Sequence, residues 1–139
     1  MRQFAKILRL KTRGRGLYEF TRELVAAVDE QRFTTGLATL FCRHTSASLL
    51  IQENAAPEVR DDLQTFFEHI APEGRGLYAH DDEGPDDMPA HLRAALTNVS
   101  LSIPILEGRL ALGTWQGVYL FEHRRAPHLR EAALHVLGE

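Results

Sequence analysis

The chain has 139 residues, of which 44% are hydrophobic and 25% are charged, as expected for a single globular domain. Its formal net charge of -3 offers no broad attraction to nucleic acid or to an anionic membrane, so neither is an expected partner. A single cysteine excludes an internal disulfide, and the amino-terminal MRQFAKILRLK lacks the apolar core of a signal peptide. These features predict one domain over residues 1–139 and a cytoplasmic location.

Hydrophobic patterning in the first half of the chain predicts three strands, over residues 3–10, 37–43 and 48–51. A first helix begins at Thr21, which can cap it, and ends near Gln31. A second helix begins at Pro57, repeats apolar residues at helical spacing and ends before Pro72.

The second half begins with a polar loop over residues 74–89 and a short helix from about Pro89 to Asn98. Two apolar runs, 99–106 and 109–122, flank a turn and predict a hairpin. Both faces of the second run are apolar, which predicts a central strand. With a final strand over 130–137, these elements predict a mixed α+β domain with about three helices.

Polar residues occur at four places where packing does not require them, and together they indicate one pocket: His44-Thr45-Ser46, Glu53-Asn54, the loop His80 to His91, and the segment Trp115 to His123. Each histidine alone is more often structural than functional. Gln116 and Glu122 share one face of the last long run, so each needs a partner or a ligand if that face is buried. Trp115, on the opposite face, is expected in the core unless a neighbouring subunit supplies a cleft in which it stacks.

Two sets of residues could hold a metal ion. His44, His80 and His91 would form a three-nitrogen site with an open position, although their spacing is no metal motif. His91 lies near a predicted helix start, where the dipole disfavours protonation; a simple helix-cap contact is the alternative. The acidic loop 81–87 could hold Mg²⁺ together with substrate phosphate, or could merely be solvated.

Several short motifs carry a family resemblance: HTSA from His44, QEN from Gln52, EGPDDMPAHL from Glu83, SIP from Ser102 and GRLALGTWQGVYLFEHR from Gly108. Together they resemble the YjbQ-like, or UPF0047, family, also called the secondary thiamine-phosphate synthase family. The resemblance implies an α+β domain with a sandwich-like β core that assembles as a homotrimer, with histidine-bearing clefts near the subunit contacts. It also implies a weak activity that joins a pyrimidine methyl diphosphate to a thiazole phosphate and releases pyrophosphate.

The polar positions that match the family pattern are His44, Thr45, Ser46, Glu53, Asn54, Asp61, His80, His91, Gln116 and Glu122. From them we predict catalytic roles for His44, His91, Glu53 and Gln116. We predict substrate contacts for Thr45, Ser46, Asn54, Trp115 and Glu122, and a zinc or magnesium site formed by His44, His80, His91 and Asp61. The predicted function is a metal-assisted transferase acting on a small phosphorylated metabolite. The alternatives are a noncatalytic module that binds a metal or a phosphorylated metabolite, and a trimeric structural protein.

Overall fold

The computed structural model describes residues 1–139 and contains eight strands and three helices. The strands are β1 (Arg2–Lys11), β2 (Gly16–Glu19), β3 (Gly36–Cys42), β4 (Ala47–Glu53), β5 (Ser100–Leu106), β6 (Arg109–Leu110), β7 (Gln116–Glu122) and β8 (Leu129–Gly138). The helices are α1 (Thr21–Asp29), α2 (Pro57–Ile70) and α3 (Asp87–Leu96). None of the three is long and apolar enough to cross a membrane.

The strands form two sheets, one in the order β1-β8-β3-β5-β6 and one in the order β2-β7-β4. Every strand pair is antiparallel. Alternate side chains of each sheet point inward, so that Leu40 and Leu134 of the larger sheet share a buried core with Leu49 and Leu120 of the smaller. The predicted α+β class, the sandwich-like core and the three helices are confirmed.

Helix α2 covers the outer face of the smaller sheet. The rings of Phe67 on α2 and Phe121 on β7 meet edge to face, with centroids 5.4 Å apart. Strand β7 also contributes Val118 and Leu120 to the core between the sheets. Both faces of β7 are therefore buried, and the predicted central strand is confirmed.

The predicted long strand over 109–122 is wrong in its middle part. The chain pairs with β5 at β6 and through the Ala111 N–H, which donates to the Pro104 oxygen over 2.8 Å. It then leaves the sheet and resumes as β7 at Gln116. The Gln116 side chain accepts a 2.8 Å hydrogen bond from the Gly113 N–H and so closes the intervening turn. Trp115 lies in this turn with 64% of its surface exposed, so its predicted place in the core is also wrong.

Candidate metal centre

Four side chains with metal-binding atoms converge at the start of α3. His80, Glu83, Asp87 and His91 each present one such atom, and these atoms all lie within 4.8 Å of one another. Asp87 and His91 are one helical turn apart on the same face of α3. The preceding loop brings His80 Nε2 to 2.8 Å from Asp87 Oδ2 and to 3.1 Å from Glu83 Oε2.

The hydrogen bonds of His91 determine which ring nitrogen faces the cluster. Its Nδ1 lies 2.9 Å from the backbone oxygen of Thr45, which can only accept, so Nδ1 carries the hydrogen. The other nitrogen, Nε2, faces Asp87 Oδ2, 3.0 Å away. It donates to that oxygen when it carries a proton, and it presents a lone pair to a metal ion when it does not. A proton or a cation between these two atoms would stabilise the contact. A histidine that donates its second N–H to a backbone carbonyl is a common arrangement among metal ligands.

The second carboxylate oxygen of Asp87 is held by Arg124. Arg124 NH1 donates to Asp87 Oδ1 over 2.8 Å, and Arg124 Nε donates to Asp86 Oδ2 over 3.0 Å. Burial would raise the pKa of Asp87, but its hydrogen bond with His80 and the charges of His91 and Arg124 outweigh burial and lower it. Asp87 is therefore ionised at neutral pH, as a metal ligand must be.

The hydrogen bond with Asp87, aided by the neighbouring Asp82 and Glu83, raises the pKa of His80 despite the opposing effect of desolvation. Protons therefore compete with a metal ion for this nitrogen, and metal binding at the cluster would weaken at low pH.

Two residues predicted as metal ligands lie outside this cluster. His44 Nε2 accepts a 2.7 Å hydrogen bond from the Glu131 backbone N–H, so this nitrogen is already occupied. His44 does share a shallow cleft with Thr45 and His91. Asp61 is an exposed residue of α2 and is not part of the cluster.

Glu53, Asn54 and Gln116 lie at the end of the β4–β7 strand pair that is remote from α3, which we call the distal end. Their side chains make local structural contacts. Glu53 accepts hydrogen bonds from the backbone N–H groups of Ala55 and Ala56, each at 3.1 Å, just before α2. Asn54 donates to the carboxylate of Glu19 over 3.2 Å. The register pairs Glu53 with Gln116 at this end and Ala47 with Glu122 at the other, about 20 Å away along the strands.

Glu122 and Ser46 belong to a buried hydrogen-bond network at the opposite, proximal end of the β4–β7 strand pair, where Ala47 lies opposite Glu122. Arg130 donates to Glu122 Oε1 over 2.8 Å and to Ser46 Oγ over 2.9 Å, and Thr12 donates to Glu122 over 2.6 Å. Burial would raise the pKa of Glu122, but the hydrogen bonds from Arg130 and Thr12 outweigh it and lower the pKa. The partner that buried Glu122 was expected to need is therefore Arg130.

Comparison with known proteins places this fold in a family. The family model described as UPF0047 protein YjbQ-like matches residues 6–139. UPF0047 protein sll1880 of Synechocystis is 54% identical, over 99% of this chain and 94% of its own length. The chain belongs to the YjbQ-like UPF0047 family. YjbQ of Escherichia coli O157:H7 is 43% identical over 87% of this chain and 88% of its own.

Solved structures agree with this assignment. A YjbQ/UPF0047 family protein from Clostridium acetobutylicum superposes with a TM-score of 0.86 at 34% identity, over 95% of this chain and 99% of its own. A YbjQ-like protein of unknown function from Sulfolobus solfataricus has a TM-score of 0.87 over 99% of this chain and 100% of its own. At 20% identity, the second shows the shared fold alone.

Two residues of the centre, Glu83 and Asp87, were not singled out as metal ligands from the sequence of this UPF0047 member. Glu83 and Asp87 fall within the acidic loop that was considered for magnesium. The available signal was the spacing of Asp87 and His91, which places both on one face of the predicted helix. No comparable signal joins Arg124 to them, because the two segments are 37 residues apart and meet only in the folded chain.

Proposed function

We propose that the protein is a divalent-metal-dependent transferase that acts on small phosphorylated heterocycles. The observation that carries the proposal is the Asp87 oxygen that faces two imidazole nitrogens, at 2.8 and 3.0 Å, with the Glu83 carboxylate beside them. The family resemblance supports the reaction class, in which a pyrimidine methyl diphosphate joins a thiazole phosphate and pyrophosphate departs.

In this proposal His80, Glu83, Asp87 and His91 hold the ion. Two nitrogen and two carboxylate donors suit zinc better than magnesium, which prefers oxygen. The bound ion would stabilise negative charge that develops on the departing pyrophosphate. The chain's own groups orient the ligands, since the Thr45 carbonyl holds the ring of His91.

The substrate space that we propose is the cavity beside His80, which is also lined by Arg75, Tyr78 and Met88. Tyr78 and Met88 offer apolar surface for a heterocycle and exclude water from a reactive cation. His44 and Thr45 adjoin His91 from the other side, in the shallow cleft that the three share. We retain them as substrate contacts.

We also propose that the protein forms a homotrimer. The outer face of the larger sheet exposes Leu37, Phe41 and Leu137 by 43%, 50% and 40%, and several large apolar side chains exposed on one sheet face are typical of an interface. Glu53, Asn54, Trp115 and Gln116 lie far from the centre in one chain, so they would contact its substrate only from a neighbouring subunit. Light scattering of the purified protein tests the assembly, and a monomer would contradict it.

The function is tested by metal analysis of the purified protein combined with a turnover assay, which measures pyrophosphate release from a pyrimidine methyl diphosphate and a thiazole phosphate. We expect stoichiometric zinc in the purified protein, and loss of both zinc and turnover in His80→Gln and His91→Gln with the fold intact. His69→Gln is the matched control, because His69 is an exposed histidine of α2 outside the cluster. Zinc without turnover would instead support a noncatalytic binding module. A folded protein with neither would refute the proposal.

A further inference from the structure

Arg93 of α3 is a buried guanidinium group without an ionic partner. It is 1% exposed, and its Nε and NH1 atoms have no hydrogen-bond acceptor. NH2 is 3.5 Å from the backbone oxygen of Ala71, which makes at most a weak contact. A buried charge is costly unless it is paired, so the Arg93 guanidinium group would be stabilised by a bound anion.

Two further arginines share one carboxylate near Arg93. Arg15 NH2 lies 2.6 Å from Glu73 Oε1, and Arg125 NH2 binds the other oxygen, Oε2. The charges of Arg15 and Glu73 both act on Arg93, as does that of Glu68, which is exposed and therefore screened by water. Arg15 and Arg125 contact the Glu73 carboxylate, and Arg93 is within range of its charge. The three guanidinium groups together carry two more positive charges than Glu73 neutralises, which matches a phosphate dianion.

The position of Glu73 links this arginine group to the candidate metal centre. Glu73 follows α2 and lines the same cavity as Tyr78 and His80. An anion that replaced the Glu73 carboxylate would therefore lie in the cavity that His80 borders. Guanidinium groups suit this exchange, because their planar donor fork binds carboxylate and phosphate oxygens alike.

We propose that Arg15, Arg93 and Arg125 bind a phosphate or diphosphate group of the substrate, and that Glu73 occupies this anion site until the substrate arrives. The incoming phosphate takes over the donors of Arg15 and Arg125, supplies an acceptor to Arg93, and releases Glu73 toward solvent. This inference deepens the proposed function, on which it rests, by locating the phosphate site.

The alternative is that Glu73 only anchors the loop after α2. The two explanations predict opposite effects of Glu73→Gln on anion affinity. If Glu73 competes with the anion, its neutralisation strengthens anion binding. If Glu73 only anchors the arginines, its neutralisation loosens them and weakens anion binding.

The experiment is calorimetric titration of the full chain with inorganic pyrophosphate in the presence of EDTA, which removes any contribution from a bound metal. We expect the wild-type protein to bind, Arg93→Met to bind about tenfold more weakly or worse, and Glu73→Gln to bind more tightly. Arg109→Gln is the control, because Arg109 is an exposed arginine of β6 that forms no ion pair, and it should bind like wild type.

Three results would overturn the inference: no pyrophosphate binding by the wild type, unchanged binding in Arg93→Met, or weaker binding in Glu73→Gln. If Arg93→Met does not fold, Arg15→Gln provides the same comparison, since it also removes one of the proposed anion donors and should weaken pyrophosphate binding. Pyrophosphate binding in EDTA by a protein without zinc and without turnover would refute the proposed function and leave the anion site intact.

Discussion

The two ends of the β4–β7 ladder are both rich in polar residues, but they bury them differently. At the proximal end, Glu122 and His123 are 0% exposed, and Glu122 is fully hydrogen-bonded to Arg130 and Thr12. At the distal end, Gln116 and Trp115 are exposed and close a turn.

This difference in burial should affect how much each end of the strand pair contributes to stability. A polar group in contact with water can exchange its partners at little cost, whereas a buried one must keep them. The proximal end should therefore determine stability, and the distal end should tolerate change within the isolated chain. Three predictions test this contrast.

The largest effect is expected from Glu122→Gln. The substitution leaves Arg130, which is 4% exposed, as a buried charge without its counterion. Breaking a buried ion pair from one side costs about 3–5 kcal/mol, and we expect a loss of this size in the free energy of unfolding by urea. The matched control is Glu131→Gln, since Glu131 pairs with the largely exposed Arg9 and Arg43 and should cost at most about 1 kcal/mol. Equal losses in the two variants would contradict the contrast.

An intermediate effect is expected from the titration of His123. Burial, followed by the charges of Arg93 and Arg130, lowers its pKa from 6.5 to about 3 in the folded protein. The unfolded chain therefore binds the proton first as the pH falls. The stability that neutral His123 contributes is complete above pH 6.5 and is lost as the pH falls toward about 3.

The slope of this loss is up to about 1.4 kcal/mol per pH unit. Urea unfolding of His123→Gln between pH 6.5 and 5 should show a shallower slope than wild type by about this amount. His135→Gln, at an exposed position on β8, should leave the slope unchanged. The same slope in His123→Gln and wild type would show that the buried imidazole does not resist protonation.

The smallest effect is expected at the distal end. Because Trp115 is 64% exposed, Trp115→Ser should change the free energy of unfolding by no more than about 0.5 kcal/mol in the isolated chain. Phe121→Ala is the matched comparison, since Phe121 is 0% exposed and its truncation should cost about 3–5 kcal/mol. A loss of several kcal/mol in Trp115→Ser, measured under monomeric conditions, would show that its ring packs in the fold.

Much of the fold could be predicted because local signals and burial agree. Pro57 and the apolar residues that follow it specify α2, and the two apolar faces of β7 specify its central place. Strand β2 was missed because its four residues lie between glycine-rich and helical segments and pair only with β7, which is distant in the sequence. The break before β7 was missed because Ala111 and Leu112 continue the apolar pattern up to the point where the chain leaves the sheet.

The candidate site was predictable only in part, because sequence patterns connect only residues that are close in the chain. His80 and His91 were named, and the loop that carries Glu83 and Asp87 was considered, because these residues are close in the sequence. The hypothesis of one pocket also included Glu53 and Gln116, which the strand register places at the distal end. Arg124 and the arginines around Glu73 come from separate segments, and nothing local brings them together.

The sequence by itself determined most of the elements, the α+β class, the family and two residues of the centre, His80 and His91, because periodicity and motif identity are local properties. The tertiary structure alone decided which polar groups meet. It paired Glu122 with Arg130, directed Nε2 of His91 toward Asp87, and buried Arg93 without an ionic partner. Such outcomes depend on strand register and burial, which arise only when distant segments pack together.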